Sequence, residues 1–156
     1  MPDWLSHLVV GLIIAELFNV RKKSLVLLGA LLPDVLTKLS LAFFYMDAAK
    51  NFTLSSFHTP VMCFLIAIAI TPLFKYNRLK VFYLVSIGVI SHFLADLTLK
   101  HLTGGMRLFF PFSSNTYILN WMWPEQSFYF ILVSLAVYLI ILIYKKFNNT
   151  SLLMNF

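Results

Sequence analysis

The stretch from Leu79 to Leu99, LKVFYLVSIGVISHFLADLTL, decides the fold. Beyond Lys80 it carries no charge before Asp96, and its two metal-ligating side chains, His92 and Asp96, stand four residues apart. A hydrocarbon core about 30 Å thick needs about 20 helical residues to cross it, so the stretch reads as a transmembrane helix. Positions four apart lie on one helix face, so the imidazole and the carboxylate point the same way and can grip one cation. They can equally form a hydrogen-bonded structural pair. An ionisable group in lipid costs several kcal/mol unless paired or metal-bound, so some partner is required.

Working outward, the rest of the chain shares this character. Of 156 residues, 60% are apolar and 12% charged, with 16 phenylalanines, more apolar surface than a soluble domain of this size can hide. Further apolar runs extend over Leu5–Val20, Ser24–Met46, Pro60–Phe74 and Ser127–Tyr144. The expected architecture is all-α: one integral membrane domain over residues 1–156, a bundle of about five spans with a core at 1–113, an outer loop at 106–126 and a final span at 127–144. Net charge is +6, but the basic residues fall in short clusters between apolar runs: Arg21, Lys22 and Lys23; Lys75, Arg78 and Lys80; Lys145 and Lys146. That pattern indicates membrane topology and argues against nucleic-acid binding. Counting spans puts all three clusters on the cytoplasmic side and the N-terminus outside, in a multi-pass protein of the cell membrane. Asp3 precedes the first run and the basic cluster follows it, the reverse of a cleavable signal peptide. The single cysteine, Cys63, permits no disulfide framework and no zinc ribbon, and reads as a small core residue.

Helix rise assigns a depth to each rare polar residue. At about 1.5 Å per residue, Asp34 stands roughly 15 Å above Ser24, His92 roughly 18 Å and Asp96 roughly 24 Å above Lys80. By the same measure His7 is roughly 21 Å above Arg21 and His58 roughly 25 Å above Lys75. Four spans thus bring His7, Asp34, His58, His92 and Asp96 to one slab in the outer half of the membrane, a mixed nitrogen and oxygen set suited to zinc. Pro33 predicts a kink beside Asp34, and Pro60 suits the first turn of a helix with His58 at its entrance. Asp3, four residues before His7, is placed to orient that ring from outside the ligand set. Lys38, Lys100 and Arg107 could neutralise a phosphate, or could snorkel to lipid headgroups. Glu16 lies near the cytoplasmic end, where Lys22, Lys23 or Arg78 could pair with it.

These residues fall in a pattern: His7 with Gly11; Gly29, Leu32, Pro33 and Asp34; His58 and Thr59; Ser91, His92, Asp96, Leu97 and Thr98; then Gly105, Pro111, Phe112 and Ser113. In it the chain resembles a family of small membrane-bound metal-dependent hydrolases, the LexA-regulated inner-membrane proteins of the YdjM type. The family's second acidic residue after the proline is Leu36 here, and no second histidine precedes His58. That family is in turn similar to the all-α zinc phospholipase C and P1 nuclease group. The resemblance implies one or two zinc ions, with Asp34, His58, His92 and Asp96 holding one and Asp96 bridging to a second held partly by His7. His101 is a spare candidate ligand. It further implies a hydrolase that cleaves a phosphoester of a lipid or lipid-linked substrate, with Asp34 and Asp96 as the catalytic carboxylates and membrane lipids as the partners. Two other readings fit the same residues: an ion or proton transporter using intramembrane Asp and His, and a non-catalytic protein stabilised by a metal. The inner half of the spans offers only Glu16 as a polar step, which leaves a transporter without a continuous route.

Overall fold

A computed structural model describes residues 4–43, 57–98, 100 and 105–153. Within them lie five α-helices: α1 (Trp4–Leu17), α2 (Lys23–Phe43), α3 (Pro60–Ile70), α4 (Arg78–Leu97) and α5 (Ser127–Leu153). Single 3-10 turns at Thr71–Leu73 and Pro124–Gln126 follow α3 and precede α5.

The boundaries have local causes. Helix α1 ends where Asn19 adopts a left-handed φ of 51°, letting the Val20 amide reach back to the Ala15 carbonyl at 2.8 Å. Thr59 caps α3, its hydroxyl accepting from the Met62 amide, and Pro60 fills the first helical position, where no amide is needed. Asn77 caps α4 by accepting from the Lys80 amide at 3.3 Å.

Helices α2 and α4 form the spine, crossing at two glycines. A Cβ on Gly29 would lie 2.0 Å from the Val85 carbonyl oxygen, and one on Gly88 2.0 Å from that of Val26. The two backbones therefore touch, a packing that only glycine permits and that membrane helices favour. Val26, Val81, Val85 and Val89 fill the seam around the crossing. Helix α1 packs on both, with Gly11 against Ala30, and α3 lies on α4 through buried Cys63 and Ala67.

The long α5 packs on α1 alone among the helices and leaves Phe128, Val133, Ile140, Tyr144 and Phe147 exposed. An ionic latch secures it: the buried Glu16 carboxylate accepts from Lys23 of α2 and Lys145 of α5, and Lys145 also donates to the Glu16 carbonyl and to Asn19 at 2.7 Å. Of the expected partners Lys22, Lys23 and Arg78, it is Lys23 that pairs with Glu16, and Lys145 joins it because α5 returns its basic end to the end of α1. Glu16→Ala should destabilise the protein by about 1–2 kcal/mol, below a fully buried pair because both lysines are partly exposed. Thermal melting in detergent would show it as a fall of a few degrees.

The expected five spans are not what the helices provide. Two of the described helices, α4 and Ser127–Asn148 of α5, are long and apolar enough to cross a membrane. Helix α1 stops after 14 residues at the Asn19 turn, and α3 after 11 at the turn containing Pro72, so each is shorter than the apolar run that suggested it. Helix α2 has 21 residues but carries Lys23, Asp34, Lys38 and an internal Pro33. The expected ends of the second and fourth runs, Met46 and Leu99, lie outside the described residues.

Segment 105–123 is fastened across the end of α4. Leu119 donates to the Leu97 carbonyl at 2.9 Å, Trp121 to Thr98 at 3.0 Å, and Met106 pairs with Tyr117 in an antiparallel bridge. Phe109, Phe112, Trp121 and Trp123 are exposed on it, as on an interfacial aromatic belt.

Candidate metal centre

One helical turn beyond the glycine crossing, Asp34 of α2 and His92 of α4 are buried side by side, with His92 Nε2 4.0 Å from Asp34 Oδ1. The crossing dictates this: with the backbones in contact at Gly29 and Gly88, side chains a turn further on have nowhere to go but into the shared seam. Helix α1 adds His7, whose ring stacks on that of His92 with centroids 3.8 Å apart. The segment before α3 adds His58.

Asp96 stands at the middle. Its Oδ1 is 3.4 Å from His7 Nε2, and its Oδ2 is 2.8 Å from His58 Nε2 and 3.3 Å from His92 Nε2. The side chains of His7, His92 and Asp96 are wholly buried, and that of Asp34 nearly so. His58 alone reaches the surface, at 13% exposure. Phe93 closes the apolar side, edge-on to both His58 and His92.

Which ring nitrogens are available follows from the outer hydrogen bonds. His92 Nδ1 lies 2.8 Å from the Ala30 carbonyl, which can only accept, so Nδ1 carries a proton and Nε2 is the nitrogen turned to the cluster. Thr37 gives its single hydroxyl hydrogen to the Pro33 carbonyl at 2.8 Å, so its oxygen accepts from His58 Nδ1 at 3.3 Å. His58 Nε2 is then likewise turned inward. Two Nε2 atoms consequently face the same carboxylate oxygen, an arrangement that either a proton on a ring or a metal ion among them satisfies.

A metal ion fits this set. His7 Nδ1 and Nε2, Asp34 Oδ1 and His92 Nε2 are buried without a hydrogen-bond partner, a rare condition for polar atoms. Two triads, His7–Asp34–His92 and His58–His92–Asp96, have their ligating atoms within 4.8 Å of one another. Tetrahedral ligands about 2.0–2.1 Å from zinc stand about 3.3–3.4 Å apart; Asp96 lies 3.4 Å from His7 and 3.3 Å from His92, while His58 is closer to it at 2.8 Å and Asp34 is 4.0 Å from His92.

The structure thus gathers all five expected ligands in one buried cluster, though not in the expected grouping. Asp34 falls with His7 and His92, not with His58. Since His92 Nδ1 is committed to Ala30, only one of its nitrogens is left for both triads.

The other expected residues are dispersed. Lys38 is exposed with its ammonium 3.8 Å over the Trp4 ring, and that of Lys100 lies 4.2 Å over the Trp123 ring. Arg107 is half-buried in segment 105–123, next to the Met106–Tyr117 bridge. Asp3 and His101 lie outside the described residues. Thr37 and the Ala30 carbonyl were not singled out from the sequence. Thr37 had one signal, a hydroxyl four residues after a proline, but a backbone carbonyl has none.

Comparison with known proteins places this chain against one family model, described as YdjM inner membrane protein, which matches residues 1–155. No curated protein and no solved structure matches it.

Proposed function

Because the chain belongs to the YdjM inner membrane protein family, its apolar helices have lipid for a solvent, and we propose that the buried His–Asp centre makes it a multi-pass, metal-dependent hydrolase. The substrate class is a phosphoester of a lipid or lipid-linked molecule. The observation that carries the reading is the inward-facing Nε2 atoms of His58 and His92, each locked by an outer hydrogen bond, around one carboxylate.

His7, Asp34, His58, His92 and Asp96 would hold one or two divalent ions, zinc by ligand type. Such an ion supplies a bound water with a pKa near 7 and polarises a phosphoryl oxygen. The chain's own contribution is orientation and proton handling. Ala30 and Thr37 fix the rings, and Asp96 supplies the negative charge that three imidazoles share. Asp34 would hold the ion through one carboxylate oxygen and, through the other, take a proton from the attacking water and return it to the leaving oxygen. Phe93 and the close packing keep bulk water out, and the partly exposed edge of His58 marks the approach. Lys38, one turn beyond Asp34 and exposed, is the nearest cation in sequence for the substrate phosphate, with Lys100 and Arg107 further along the chain.

The test is a hydrolysis screen of purified protein on a lipid extract, with and without chelator, alongside elemental analysis. Chelator-sensitive release of a phosphorylated headgroup, restored by zinc, is expected. Metal-free protein that releases nothing and conducts protons in vesicles would overturn the reading in favour of a transporter, and bound metal without hydrolysis on any substrate would leave a structural ion. Thr37→Val, which keeps the side chain's shape and deletes the acceptor for His58, should weaken zinc binding about 10- to 100-fold by titration calorimetry.

A further inference from the structure

At the other end of the bundle from the centre, a cavity of about 350 Å³ opens where α2 begins and α4 begins. It is lined by Lys22, Lys75, Lys80, Tyr76 and Asn77, over an apolar floor of Leu25 and Leu84. Lys80 precedes His92 by three turns of α4, roughly 18 Å, so the two sites do not share side chains.

Three ammonium groups around one cavity repel one another, and among the described residues no carboxylate pairs with Lys22, Lys75 or Lys80. The Glu16 carboxylate is taken up by Lys23 and Lys145 and does not reach this cavity. Lys22 is held in place by Tyr76, donating to its hydroxyl at 3.1 Å and lying 4.8 Å from the ring centroid, an arrangement that orients the charge without neutralising it. Lys75 and Lys80 flank the turn into α4, whose first turn has no acidic residue. Cations at the positive end of a helix dipole are unfavourably placed, and local conflicts of this kind collect at functional positions. The volume lies at the lower end of the range for small-ligand sites of about 300–1,000 Å³. A basic rim over a leucine floor suits a ligand that is anionic at one end and apolar at the other.

We propose that this cavity binds a phosphate-bearing anion, the headgroup of an anionic membrane lipid or free phosphate. Lys75 and Lys80 provide the charge, Lys22 and Tyr76 the fixed wall, and Leu25 and Leu84 a seat for the glycerol or first acyl carbons. The site does not rest on the hydrolase reading.

The experiment uses the full chain in nanodiscs of phosphatidylcholine with or without phosphatidylglycerol, and native mass spectrometry counts retained lipid. A second arm titrates inorganic phosphate against thermal melting. Lys75 and Lys80 are exposed, so the double substitution K75Q/K80Q leaves packing untouched. At about fivefold per lysine, it should lower phosphatidylglycerol retention about 25-fold, whereas K75R/K80R should retain it within about threefold. Lysine-dependent lipid retention without a phosphate shift assigns the site to a headgroup, and a lysine-dependent phosphate shift assigns it to the soluble anion. If K75Q/K80Q binds both probes as the unaltered protein does, the proposal is wrong.

Discussion

Replacing Asp96 by asparagine is expected to abolish tight zinc binding and, with it, chelator-sensitive hydrolysis. The carboxylate lies within 3.4 Å of three imidazole nitrogens, and an amide of the same shape cannot supply the negative charge that holds a divalent ion among them. Loss of an outer partner alone costs about 10- to 100-fold in affinity, so loss of this central ligand should cost at least about 100-fold. Stability separates a metal ligand from a merely structural His–Asp pair. With zinc at about 100 times its dissociation constant, the unaltered protein should gain about 2.7 kcal/mol over its chelated form, and Asp96→Asn should gain almost none. In chelator the two should melt close together. A structural pair would instead leave Asp96→Asn less stable by the same margin with and without zinc.

The second large effect is expected from one added methyl group. A Cβ on Gly88 would meet the Val26 carbonyl oxygen at 2.0 Å, the Ala30 amide nitrogen at 2.7 Å and the Gly29 Cα at 2.8 Å, all backbone atoms that no rotamer change can move. Overpacking of a core costs about 1–3 kcal/mol where side chains can yield, so Gly88→Ala should reach or exceed the top of that range. Relief requires α2 and α4 to separate, which draws His92 Nδ1 from the Ala30 carbonyl and its Nε2 from Asp34. Melting temperature and zinc affinity should therefore fall together. Gly11→Ala meets only side chains, the nearest being the Ala30 methyl at 3.1 Å, and should be milder in both measurements.

The clustered histidines and aspartates were legible in the sequence because lipid makes polar residues conspicuous. His7, Asp34, His58, His92 and Asp96 stand out from apolar neighbours, and a constant helical rise sufficed to bring them to a common depth. What could not be read is what orients them. The proton on His92 Nδ1 is fixed by a main-chain oxygen, and the closeness of α2 and α4 depends on two glycines whose pairing across helices no local pattern discloses. Helix ends were also misjudged. Composition alone extends the first apolar run to Val20, but the left-handed turn at Asn19 stops the helix at Leu17. Glu16 was expected to find a partner among basic residues near in sequence or at the start of α4. Its second partner, Lys145, lies 129 residues away and is brought there by α5.

The arrangement of α5 has a consequence for how the molecule divides. All five clustered His and Asp side chains come from α1, α2, α4 and the segment leading into α3, while the longest helix contributes none and touches that assembly through α1. Its uncovered aliphatic flank makes it an anchor that can be exchanged without rewriting the chemistry. A chain ended before Ser127, or fused there to an unrelated hydrophobic helix, should keep its affinity for zinc while changing how firmly, and in which detergent, it is held.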